Sequence, residues 1–274
     1  MFAKLLKYEW RATRGFLGLL SLICLSAALV GGLSMRYLVW VSELDSQGNV
    51  AIVLSVLTMI FAFIAIVICC VAMELYAVWR FYKSRFTDEG YLTFTLPVTT
   101  HQILLSSFVN CLISMVCALA ALMVGYLVLL LLGFSALDNF FPSLWEVLPL
   151  AMENLWRLFS GETGAFLAQL TLGVVTGVLN STVVMMLAVT IGSILAKKHK
   201  VLAAIGVYYG INMVMSLITS VLGVVLGLSV YSSQSSGMDV LSSMMLMESG
   251  LFLIVAVGGY FLMYALVHRK LNLT

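Results

Sequence analysis

The sequence predicts an all-α, polytopic membrane protein with six transmembrane helices, and three observations carry that expectation. Hydrophobic residues make up 62% of the 274-residue chain and charged residues 9%, against about 45–50% and about 25% in soluble domains. Six apolar runs are each long enough to cross a hydrocarbon core of ~30 Å, which takes about 20 residues at a rise of ~1.5 Å. None of the runs alternates polar and apolar residues as the strands of a membrane barrel do, so helices are the form that satisfies the backbone in lipid. A soluble globular protein is excluded, and a single membrane domain takes up residues 1–274.

The elements follow in order. Residues 1–15 read as an amphipathic helix on the inner membrane surface. Lys4, Lys7, Arg11 and Arg14 recur at helical spacing, Phe2, Leu5, Leu6 and Ala12 fall opposite them, and Tyr8 and Trp10 flank the two faces. Glu9 lands among the apolar positions, which fits either pairing with a nearby Lys or Arg or contact with a cytoplasmic partner. A cleaved secretory leader is not expected here. The charged region is long and contains Glu9, the apolar run exceeds the usual ~7–15 residues, and no clear A-x-A site follows.

The first two spans are 16–38 and 50–73, and Tyr76, Trp79, Phe81 and Tyr82 carry the second helix onward, with Arg80, Lys83 and Arg85 expected at the headgroups. The third span is 103–134. Ser143 and Glu146 then have capping-box spacing and open an external amphipathic helix over 143–160. The last spans are 166–195, 201–228 and 244–267. The Ser- and Met-rich stretch 229–248 reads as an external loop or as a partly re-entrant element.

Charge sets the expected orientation. With six spans both termini lie on one side, and that side collects twelve of the fourteen basic residues with Glu9, Glu74, Asp88 and Glu89, a formal +8. The other side holds Arg36 and Arg157 with eight acidic residues, a formal −6. By the positive-inside rule the termini are cytoplasmic, N-in and C-in. The net charge of +2 conceals this asymmetry and implies no nucleic-acid partner.

Enzymatic motifs do not occur. The sequence has no H-E-x-x-H, no G-x-S-x-G and no G-x-x-x-x-G-K-[ST], so no catalytic, metal or cofactor-binding residue is assigned, and any ATP use must come from a partner chain. Cys24, Cys69, Cys70, Cys111 and Cys117 fall inside apolar runs and read as small buried hydrophobes. The span centres hold neutral polar groups such as Asn110, Asn180, Ser181, Thr182 and Asn212, which weighs against an ion-coupled carrier. Gly173/Gly177, Gly206/Gly210 and Gly223/Gly227 have small-xxx-small spacing, which lets the fourth and fifth spans pack closely within the chain or against a second copy.

The segment 80–101, between the second and third spans, is the long polar interruption of the first half. Thr87 and Asp88 are placed to cap a short helix carrying Glu89, Tyr91, Leu92 and Phe94; Pro97 ends it, and Thr99 or Thr100 caps the third span. "DEGYLTFTLPVTTHQILLSS", Asp88 to Ser107, resembles the E-x-G-x-L…L-P-x-[ST] segment of the ABC type-2 permeases, the membrane subunits of ATP-binding-cassette exporters. The N-terminal amphipathic helix with its "KYE" stretch, the six spans and the N-in/C-in layout resemble that family as well.

The resemblance implies a bacterial plasma-membrane export subunit whose cytoplasmic coupling helix docks on a separate ATPase, which carries ATP and Mg. By similarity it implies Glu89, Gly90, Leu92, Leu96 and Pro97 as the corresponding positions, and Asp88, Tyr91, Phe94 and Glu9 join them as candidate partner contacts. It also implies a second permease chain, identical or similar, and a hydrophobic or amphipathic substrate such as a peptide, lipid or drug. Where many members carry Lys at the start of the third span, this chain has Ser107 and Phe108. A non-transporting scaffold or regulatory subunit using the same loop is the alternative, with an ion-coupled carrier behind it.

Overall fold

A computed structural model describes residues 2–43, 49–87, 98–135, 142, 145–150, 152–153, 162–196, 199–233 and 237–270. The fold is all-helical, with α1 (Phe2–Glu43), α2 (Asn49–Phe86), α3 (Thr100–Phe134), α4 (Glu162–Leu195), α5 (Lys200–Ser233) and α6 (Gly237–Lys270). Each contains a stretch long and apolar enough to cross a membrane: Phe2–Val41, Val50–Phe86, Thr100–Phe134, Phe166–Leu195, Lys200–Val225 and Leu241–His268.

α1 runs without interruption through the junction between the expected surface helix, 1–15, and the first span, 16–38. Its 42 residues reach ~63 Å at ~1.5 Å per residue, about twice the hydrocarbon thickness. Lys4, Lys7, Arg11 and Arg14 are all exposed, whereas Phe2, Leu5, Leu6 and Ala12 are half-buried. Glu9 is half-buried in line with Thr13 and Leu17, the side along which α1 packs. α2 likewise continues past residue 73 to Phe86 and ends on Lys83 and Arg85, cations that suit the negative end of a helix dipole.

The chain divides into two compact units. One comprises residues 8–77 and 113–156. In it α1 and α2 run antiparallel, as Phe16 stacks on Tyr76 with ring centroids 3.9 Å apart and the Thr58 hydroxyl donates to Ser34 Oγ at 2.8 Å. α3 runs parallel to α1, with Leu17, Met73 and Ala118 in one cluster and Cys24, Ala28, Ile66, Cys69 and Leu129 in the next. Small residues make this possible: a Cβ added at Gly31 would stand 2.6 Å from that of Ala62, so the backbones meet more closely than a larger residue allows. Cys24 and Cys70 are buried free thiols that donate to the carbonyls of Ala121 and Ala118. Of the expected external helix over 143–160, residues 145–150 and 152–153 are described; they are helical and exposed.

The second unit comprises residues 1–7, 78–112 and 157–274. α4 packs on both α5 and α6. The short connection from α4 to α5 makes a hairpin whose closest point is Gly192, where an added Cβ would fall on the backbone of Ala204. α4 and α6 run parallel, since Gly177 faces Phe252 and, further along, Gly259 faces Val183 and Leu187.

The glycines expected to mediate packing behave differently from one another. Gly177 approaches the Phe252 ring, but added Cβ atoms at Gly173, Gly206, Gly210 and Gly223 would meet nothing within 4 Å, so none of the described residues closes on them. The side-chain surroundings of Gly227 lie outside the described residues.

Candidate partner-coupling site

Asp88, Glu89, Gly90, Tyr91, Leu92, Phe94, Leu96 and Pro97, the positions that carry the sequence resemblance, lie outside the described residues. The two helix ends that flank them are described in full.

On the leading side, the last turns of α2 form an aromatic and basic collar. Lys83 Nζ lies 5.7 Å from the centre of the Trp79 ring, within cation–π range, and Phe81 and Tyr82 each contact Phe86 at ring separations of 5.7 and 6.4 Å. The Thr87 hydroxyl donates to the carbonyl of Lys83, closing the helix end.

Arg85 departs from its expected place at the headgroups. It is 3% exposed, and its guanidinium points at α3: Nη2 donates to Ser107 Oγ at 2.8 Å and to the Ile103 carbonyl at 3.3 Å, while Nε donates to the same Ser107 oxygen at 3.2 Å. Ile103 and Ser107 are one turn apart, so a hydroxyl and a carbonyl stack on one face of α3 where a planar fork of donors can meet both. That pairing is what allows a charged group inside the protein, since a buried charge is costly unless its hydrogen bonds are satisfied.

On the returning side, Thr99 caps α3, its Oγ1 accepting from the amide of Gln102 at 3.4 Å. Two residues on, His101 Nδ1 shares a hydrogen bond of 3.0 Å with the Tyr260 hydroxyl of α6. The imidazole also meets Tyr264 edge-on at 6.1 Å, Tyr264 meets His268 at 5.9 Å, and Phe108 packs on Tyr260. His101 and His268, far apart in sequence, thus share Tyr264 as a neighbour, whereas neither hydrogen bond nor ring contact joins them to His199 among the described residues.

The arrangement therefore links α2 to α3 through Arg85 and α3 to α6 through His101, within one unit and directly beside the ends of 88–97. Sequence reasoning missed both links. Ser106 and Ser107 in the first turns of an apolar helix were a signal for the first, and Tyr260, Tyr264 and His268 at four-residue spacing for the second. Among the described residues no group of three or more His, Cys, Asp or Glu is placed to hold a metal ion.

These helices define a multi-pass membrane protein. Compared with protein-family models, curated proteins and solved structures, the chain matches none.

Proposed function

We propose that the chain is the membrane subunit of an ATP-driven exporter, forming a substrate path with a second permease chain and driven by a separate ATPase that docks on residues 88–97. The observation that carries this reading is the Arg85–Ser107 clasp beside a segment, Asp88 to Ser107, that resembles the E-x-G-x-L…L-P-x-[ST] pattern. A docking segment transmits force only if its ends cannot splay. Arg85 ties the helix entering the segment to the helix leaving it, and His101 hands the load on to Tyr260 of α6. ATP-driven closure of the partner would then shift the helices between discrete arrangements rather than deform one loop.

Glu89→Arg and Leu92→Asp test the proposal in reconstituted vesicles holding the chain with its ATPase. Both variants should insert normally yet hydrolyse ATP without transport. Transport at the wild-type rate in either variant would remove the coupling role from this segment.

A further inference from the structure

Away from the coupling region, α4 and α6 leave a cleft of about 240 Å³ between them, lined by Gln169, Leu170, Gly173, Val174, Met245, Glu248, Ser249 and Phe252. Its existence follows from Gly173. An added Cβ there would meet nothing within 4 Å, so α4 is hollowed where Phe252 and Met245 of α6 could otherwise touch a side chain.

Three acceptors line this cleft. Glu248 brings a carboxylate that accepts and cannot donate when ionised. Gln169 Oε1 is buried and has no hydrogen-bond partner. The Ser249 hydroxyl, 2% exposed, already donates to the Leu246 carbonyl, which leaves its oxygen as an acceptor. Among the described residues no Lys, Arg or His lines the cleft. A second buried acceptor without a partner, Asn180 Oδ1, follows Gln169 by eleven residues, three helical turns further along the side of α4 that carries Gly173 and Thr176.

An unpartnered buried carbonyl is destabilising, so a ligand that donates to it recovers part of that loss. The required ligand donates hydrogen bonds, carries positive charge for Glu248, and offers an apolar body to Leu170, Val174, Met245 and Phe252. Phe252 suits a cation further through its ring face. A divalent metal ion fits less well, because calcium takes about 6–8 oxygen ligands and magnesium demands octahedral geometry. The volume is also below the ~300–1,000 Å³ of sites for drug-sized molecules, which limits the bound part to a headgroup and a short chain.

We propose that the α4–α6 cleft binds a protonated primary or secondary amine of amphipathic character, with the ammonium between Glu248 and Gln169 and its carbon chain against Phe252 and Met245. The site does not depend on what drives the chain or on its partners.

The test uses the full chain in maltoside micelles and follows its melting temperature while n-octylamine is titrated, with n-octanol as the neutral match in size. Octylamine should raise the melting temperature saturably and octanol should not. Glu248→Gln removes the charge at an exposed position, and Gly173→Leu fills open space; both should fold, checked by size exclusion, and weaken the octylamine effect at least about tenfold in apparent dissociation constant. Equal effects of amine and alcohol, or wild-type octylamine affinity in both variants, would overturn the proposal.

Discussion

Arg85 Nη2 and Nε both donate to the hydroxyl oxygen of Ser107, at 2.8 and 3.2 Å, so one small side chain in α3 receives a two-pronged bond from the end of α2. Interhelical hydrogen bonds in membrane proteins average about 0.6 kcal/mol, whereas hydrogen bonds to charged groups contribute about 1.5–3 kcal/mol. A double-mutant cycle with Arg85→Met and Ser107→Ala, read by unfolding in detergent, should give a coupling energy above about 1 kcal/mol. A value near zero would mean that the two residues meet without stabilising one another.

The contacts of His101 and Tyr260 can be separated by substitution. Tyr260→Phe keeps the ring packing and removes the hydroxyl, which should cost about 0.5–1.5 kcal/mol. His101→Ala loses the same bond and the ring contacts with Tyr260 and Tyr264, aromatic pairs that add about 0.5–1.5 kcal/mol each. Thermal unfolding should therefore rank His101→Ala below Tyr260→Phe; the reverse order would show that the rings contribute nothing.

Packed and unpacked helical glycines should respond in opposite ways. Gly192→Val forces a side chain onto the backbone of Ala204 and should destabilise the chain by about 1–3 kcal/mol or more, the range of overpacked cores. Gly206→Val and Gly210→Val meet open space and should leave the unfolding of the isolated chain almost unchanged. Crosslinking in membranes then reads whether those two positions serve a second copy: loss of a crosslinked dimer in these variants, with melting unchanged, is the expected result.

How much of this was legible in the sequence differs by feature. Helix class and number were plain, because runs of apolar residues longer than a bilayer core leave no alternative. A cap at Thr99 or Thr100, which Thr99 supplies, and the continuation of the second helix past residue 73 also followed from local chemistry. Glycine packing did not follow: Gly173/Gly177 and Gly206/Gly210 share one spacing, yet only Gly177 approaches a neighbouring side chain, since spacing fixes a face of one helix and not what lies opposite it. Arg85 was misplaced for the same reason. Nothing along α2 reveals that Ser107 and the Ile103 carbonyl wait across from it.

Orientation is open to direct labelling. Cysteines introduced as Thr95→Cys and Asp138→Cys should react with a membrane-impermeant maleimide from opposite sides, Thr95→Cys in inside-out vesicles and Asp138→Cys in right-side-out ones. Four of the five native cysteines are buried, which keeps the background low. Labelling of both from one side would refute the arrangement inferred from the basic residues.

The most direct measurement is to purify the tagged chain from its native membrane in mild detergent, beside its Glu89→Arg variant, and to identify the proteins that accompany each. A soluble P-loop ATPase that follows the wild-type chain and is depleted with the variant is the predicted result. A well-folded chain that brings down no ATPase in either sample would contradict the reading of residues 88–97 as a coupling segment and of the chain as an ATP-driven permease.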